Sequence, residues 1–135
     1  MIAYDCIFCT IVQKQSPSYN VYEEEDILSF MDNRPLSEGH TLIITKKHYD
    51  NIYAVPDEEI GHLFKIVKKV ALAVRTAIKS KGIRIIQTNG SSAGQVIFHI
   101  HVHVIPAYEG LNIHIRKSSR PKELEKLATK IRQYV

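Results

Sequence analysis

The sequence predicts an α+β fold with a mainly antiparallel sheet. Strand-like runs outnumber helical ones along the 135 residues. Some of those runs follow one another across short turns, which favours antiparallel pairing. Strong helical periodicity is confined to one long stretch and one C-terminal stretch.

The elements follow in order. Residues 5–15 are expected to hold a short helix, broken by Ser16-Pro17-Ser18. Residues 20–23 and 27–31 read as two strands with a turn at the acidic run Glu24-Glu25-Asp26. Residues 36–39 read as a loop. The β-branched, apolar run 41–45 reads as a buried strand. Pro56-Asp57-Glu58-Glu59 opens the long helix, with acids at the positive end of its dipole. Ile60, Leu63, Phe64, Val67, Val70, Ala71, Val74 and Ile78 recur at helical spacing as one apolar stripe. Lys79, Lys81 and Gly82 end it. A strand over 83–88, a small polar loop over 89–95, and a strand over 97–105 stopped by Pro106 come next. Ile113-His114-Ile115 reads as a late strand. A last helix from Pro121 carries Leu124, Leu127 and Ile131 on one face.

The length suits a single domain over 1–135. Apolar residues make up 44%, enough to bury a core without disulfides. No apolar run approaches the roughly 20 residues of a membrane span. The N-terminus carries no basic patch followed by a long apolar stretch, so a cytoplasmic protein is expected. The net charge of +4 suits an anionic ligand such as a nucleotide. It is too weak to argue for duplex nucleic acid. Part of the excess, at Arg116, Lys117, Arg120, Lys122, Lys126, Lys130 and Arg132, reads as a solvated basic helix face.

The histidine run His99-Ile100-His101-Val102-His103 carries the chemistry. In a strand, successive side chains alternate faces, so the three imidazoles share one face and Ile100, Val102 and Val104 the other. Same-face neighbours then lie about 6–7 Å apart. A solvated, merely hydrogen-bonded face explains one histidine better than three at period two. Three ligands on one zinc must converge to about 2.0–2.1 Å, which the outer pair of a straight strand does not easily do. A nucleophilic face for phosphate fits better. Neutral imidazole attacks phosphorus and forms a phosphoramidate that water later splits. A backbone carbonyl bonded to the other ring nitrogen would fix the tautomer. A second, protonated histidine would pair with the developing charge. The preceding loop, with Gly90, Ser91, Ser92, Gly94 and Gln95, offers close backbone approach and polar donors.

Cys6 and Cys9 have C-x-x-C spacing, so on a helix or tight turn both thiols face one way. Half a zinc site, a redox pair and two buried thiols are the three readings. A tetrahedral zinc needs two more ligands.

The stretch Gly94-Gln95-Val96-Ile97-Phe98-His99-Ile100-His101-Val102-His103-Val104-Ile105-Pro106 resembles the histidine triad (HIT) motif, His-φ-His-φ-His-φ-φ with φ apolar. Upstream, Phe30-Met31-Asp32, Pro35 and the run from Gly39-His40 to Lys46-Lys47-His48 match as well, so the resemblance spans Cys6 to about Pro106. It implies an α+β homodimer whose sheets join into one, binding a purine nucleotide such as AMP and transferring its nucleoside monophosphate through a covalent histidine. By position, His101 would be the nucleophile. His103 would contact the phosphate and assist the leaving group, with Gln95 and the Gly94 loop holding the phosphate. Asp32 would accept from the ribose hydroxyls, and Phe30 with Ile27 would line the base pocket. Microbial relatives of the Hint-like branch complete their C-x-x-C as a zinc site with residues matching His48 and His99. His40 would make an internal hydrogen bond, and His62 would sit at the surface. Val96 stands where many members carry Ser or Thr, and Thr88 where relatives often carry a phosphate-contacting Asn or Gln. Hydrolysis of nucleoside phosphoramidates or adenylates is the first reading. A dinucleoside polyphosphate hydrolase and a low-turnover nucleotide-binding module are the alternatives.

Overall fold

A computed structural model describes residues 5–108 and 121–135. The late strand expected at 113–115, and the basic residues Arg116, Lys117 and Arg120, lie outside them. Among the described residues, no helix is long and apolar enough to cross a membrane.

The chain runs α1 (Ile7–Val12), β1 (Asn20–Glu23), β2 (Ile27–Met31), β3 (Thr41–Thr45), α2 (Asp57–Ile78), β4 (Gly82–Ile86), β5 (His101–Ala107) and α3 (Pro121–Arg132). Among the described residues all four strand pairings are antiparallel, in the order β1-β2-β3-β5-β4. The sheet therefore takes the class the sequence predicts.

The two sheet faces divide the molecule. Ile27 and Met31 of β2, Ile43 of β3, and Val102 and Val104 of β5 meet the apolar stripe of α2 and the Leu124, Ala128 and Ile131 face of α3. Burying each such aliphatic side chain contributes about 1.5–3 kcal/mol. α2 starts at Asp57, Glu58 and Glu59 and closes with Lys79 in the left-handed conformation. The opposite face gathers Leu28, Phe30, Leu42 and Ile44 with Phe8 of α1. Period-two alternation puts His101 and His103 on this second face.

Three boundaries differ from expectation. β5 begins at His101, not at residue 97, because its partner β3 ends at Thr45. The Thr45 carbonyl accepts from the His99 ring Nε2 at 2.7 Å, and the Ile100 N–H turns to the Tyr49 carbonyl at 2.7 Å. Pro106 does not stop β5, which runs to Ala107. Its carbonyl accepts from Ser37 Oγ at 2.6 Å, so its backbone polar side points away from β4 and the missing N–H removes no ladder bond. β4 ends at Ile86, leaving Thr88 in the loop that follows.

Gly39 sets the entry to β3 and hence to His40. Its φ is +94°, and a Cβ there would lie 3.1 Å from Ile78 Cγ1 and 3.2 Å from Pro106 Cγ. Gly39→Ala is expected to cost about 1–3 kcal/mol through strain and crowding together. A lowered denaturation midpoint with unchanged m-value is the expected readout.

Candidate active site and metal cluster

His101 is buried on the α1 side of the sheet, opposite Ile44 of β3. Its Nδ1–H donates to the His99 carbonyl at 2.7 Å. That bond can be made only by a protonated Nδ1, so the neutral ring carries its lone pair on Nε2. The Phe8 ring packs edge-on against His101 with centroids 5.2 Å apart, and His103 lies at 5.0 Å.

His103 is set by a second chain of bonds. The Leu36 N–H donates to His40 Nδ1 at 3.0 Å, which makes Nδ1 the unprotonated nitrogen of His40. His40 Nε2–H then donates to His103 Nδ1 at 2.9 Å. His103 is left with its proton on Nε2. A backbone amide thus fixes the tautomers of two side chains in series. In this arrangement His103 presents its Nε2–H as a donor. His40 is fully buried, as its internal hydrogen bond requires.

Asp32 follows β2 and lies beside this chain. One carboxylate oxygen accepts from the Arg34 N–H at 2.8 Å, and the other sits 3.5 Å from His40 Nε2. Phe30 is buried against Phe8, with centroids 5.5 Å apart. Ile27 packs on the α2 face instead, so it is not part of the histidine side of the sheet. A cleft of about 200 Å³ beside Ile27 is lined by Asp26, Glu58, Glu59, Lys47 and His62, an acidic rim unsuited to phosphate. His62 pairs there with Glu24 and is partly exposed.

Gln95 is spent inside the protein. Its amide nitrogen donates to the Asp50 and Ile97 carbonyls at 2.6 and 3.1 Å, and its amide oxygen accepts from the Gly90 N–H at 2.8 Å. The Gly94 N–H donates to the Ser91 carbonyl at 3.0 Å. These bonds shape the loop, with Gly90 and Gly94 at φ +93° and +96°. Thr88 is half-buried, and its carbonyl accepts from the Gln87 amide at 3.1 Å.

His99, the first of the three histidines, turns elsewhere. Its Nδ1 lies 3.4 Å from Cys6 Sγ and 3.6 Å from Cys9 Sγ, while His48 Nδ1 lies 3.3 Å from Cys9 Sγ. Cys6 is the N-cap of α1, with the Cys9 N–H pointing at its Sγ, so one helical turn holds both sulfurs together. The four ligand atoms all lie within 4.8 Å of one another and could hold a metal ion. Tetrahedral zinc with Zn–S about 2.3 Å and Zn–N about 2.0–2.1 Å requires S···N edges of about 3.5 Å. The outer ring nitrogens are also committed, His99 Nε2–H to the Thr45 carbonyl and His48 Nε2 to Asp50 Oδ1 at 2.9 Å. Both rings therefore present an unprotonated Nδ1 to the cluster. Burial pushes His99 down to about 4, so it is neutral near neutral pH. Burial pushes the Cys6 thiol up, and a bound cation would draw its proton off.

The structure therefore brings the predicted residues into two groups. His101, His103 and Asp32 share one, joined by His40. Cys6, Cys9, His48 and His99 form the other. Phe8 and Asp50 are the contributors the sequence reading missed. Phe8 reads as one more apolar residue in a short helix. Asp50 had a signal, since it stands two residues after His48.

The antiparallel sheet thus carries a tautomer-fixed histidine beside a Cys/His cluster, the class of α+β protein that the comparisons identify. The HIT domain model matches residues 13–110, and the chain belongs to the HIT domain family. The Bacillus subtilis protein named "Protein hit" is 42% identical over 106 residues, covering 78% of this chain and 73% of its own. The Arabidopsis thaliana protein named adenylylsulfatase HINT3 is 35% identical over 139 residues, covering 97% of this chain and 70% of its own. The crystal structure of a zinc-bound histidine triad family protein from Mycobacterium smegmatis superposes with a TM-score of 0.86 at 31% identity, over 96% of this chain and 92% of that one.

Proposed function

We propose that the protein cleaves purine nucleotide conjugates at the α-phosphate through a covalent nucleotidyl-histidine on His101. The observation that carries this reading is the 2.7 Å bond from His101 Nδ1–H to the His99 carbonyl, which leaves a nucleophilic lone pair on Nε2. In the first step an Nε2–P bond forms and the bond from phosphorus to the leaving group breaks. A carboxylate or sulfate departs with the electron pair. An amine also takes a proton, drawn from solvent water, and the water that attacks in the second step gives a proton back to solvent. In the second step water attacks phosphorus, the N–P pair returns to Nε2, and AMP leaves.

His103 donates its Nε2–H to a phosphoryl oxygen or to the leaving atom as charge develops there. Asp32 accepts from the ribose hydroxyls, and Phe8 joins Phe30 beside the base. Gln95 acts by bracing the loop, not by touching phosphate. Thr88 and the Gly94 loop stand at its approach. Release of AMP from adenosine phosphoramidate, adenylyl conjugates and diadenosine polyphosphates, each assayed beside His101→Ala, separates this reading from the alternatives. Binding of AMP with no release from any of them would support a nucleotide-binding module.

The cluster of Cys6, Cys9, His48 and His99 is proposed to hold structural zinc. Such an ion crosslinks α1 to the sheet and supplies no reaction chemistry. A homodimer completed through the exposed edge of β4 and a cytoplasmic location accompany this reading. Exposed Ile85 on β4, with Val96 and Phe98 in the preceding turn of β5, supplies apolar surface for the partner.

The His40 chain makes its own prediction. His40→Phe keeps the ring volume but removes the donor to His103 Nδ1. It is expected to lower kcat about 10- to 100-fold with a smaller change in KM, because His103 is freed to adopt the wrong tautomer. Steady-state kinetics with a phosphoramidate substrate checks it.

A further inference from the structure

We propose that the Cys6–Cys9–His48–His99 cluster positions the nucleophile as well as stapling the fold. The inference rests on the reading of His101 above. Two physical links join the cluster to His101, and neither depends on the metal touching substrate.

The first link is His99 itself. Its ring is held on two sides, by the cysteine sulfurs at 3.4 and 3.6 Å and by the Thr45 carbonyl at 2.7 Å. Its backbone carbonyl is the acceptor for His101 Nδ1–H. It precedes β5, so no strand ladder fixes that carbonyl. The residue between the two histidines, Ile100, donates its N–H across the bend to the Tyr49 carbonyl at 2.7 Å. Anchoring the His99 ring is what holds the carbonyl in line with His101. A ring released from the sulfurs lets the bend rotate, and the Nδ1–H bond that selects the reactive tautomer loosens with it.

The second link is Phe8. It stands between Cys6 and Cys9 on α1, a helix of six residues, which is too short to persist on its own propensity. Its ring packs edge-on against both His99, at 5.8 Å, and His101, at 5.2 Å. Closing the sulfur pair onto His48 and His99 therefore presses the same ring onto the nucleophile. Loss of the cluster withdraws it and opens His101 to water.

The test reads the His101 ring directly. Protein labelled with ¹⁵N is compared zinc-loaded and chelator-stripped by long-range ¹H–¹⁵N spectra at one fixed pH, with His101 assigned by its loss in His101→Ala. In the loaded form His101 is expected as a single tautomer protonated on Nδ1. In the stripped form its two nitrogen signals are expected to move toward each other as the tautomers mix. Phe8→Leu is the second arm. It is expected to retain the full zinc content, shift the His101 signals, and slow nucleotidyl-enzyme formation about tenfold. His101 signals that stay identical after metal analysis shows the ion gone, or in loaded Phe8→Leu, overturn the proposal. If stripping unfolds the chain, the Phe8→Leu arm alone decides. A parent protein that releases no AMP would overturn the nucleophile reading, while the tautomer comparison still decides the coupling.

Discussion

His101→Ala is expected to lower kcat for AMP release by about 10⁴-fold or more, roughly 5.5 kcal/mol of transition-state stabilisation, while AMP binding changes little. The size follows from what the substitution removes. The ring is the sole proposed covalent partner of phosphorus, so its loss abolishes a two-step route and leaves only the positioning groups. Those groups are not disturbed. His103 is held from behind by His40, and His40 by the Leu36 N–H, at 2.9 and 3.0 Å. Asp32 keeps its bond from Arg34. Direct titration of AMP, beside trapping of a labelled nucleotidyl-enzyme in the parent, checks both halves. Equal AMP release by parent and variant would sink the assignment.

Most of the sheet was legible because its periodicities are strong. The runs at 27–31 and 41–45, and the α2 stripe, became elements at or near their expected bounds. The start of β5 was misread for a physical reason. Ile97 and Phe98 are strand-favouring residues that lead into the alternating histidine run, but a strand lasts only while a partner offers ladder bonds, and β3 stops at Thr45. A register of that kind is written in two segments at once, so no single run reveals it. Pro106 misled in the opposite sense, since its cost depends on which way its backbone nitrogen points.

The site divides along the same line. The two-histidine face and the identity of the Cys6, Cys9, His48 and His99 group were readable from spacing and family resemblance together. The tautomer of His103 was not, because it descends from Leu36 through His40 and needs the pairing of Leu42 with His103 to bring those rings together. Gln95 shows a different limit. Its place beside the histidine run suggested a phosphate donor, and no run of sequence shows the bonds its buried amide makes to the Asp50 and Ile97 carbonyls.

Cys9→Ser, or removal of the metal by chelation, is expected to lower the unfolding midpoint by about 10 °C or more at matched protein concentration. The cluster joins three distant pieces of chain, α1, the segment after β3, and the bend before β5, around sulfurs that lie 3.3–3.6 Å from the ring nitrogens. Without an ion, α1 keeps only six residues of helix and the contacts of Phe8 and Cys9 against β2 and β3. A bound ion that recognises the folded arrangement and not the unfolded chain stabilises by RT ln(1 + [L]/Kd), about 4 kcal/mol at a thousandfold excess over Kd. Serine cannot replace the thiolate, since its hydroxyl is a weaker, harder ligand held on a shorter bond. The effect should vanish in stripped protein, where parent and Cys9→Ser are expected to unfold within about 1 kcal/mol of each other. A parent whose midpoint is insensitive to chelation, with metal analysis showing the ion removed, would reduce the four residues to buried thiols hydrogen-bonded to neutral histidines.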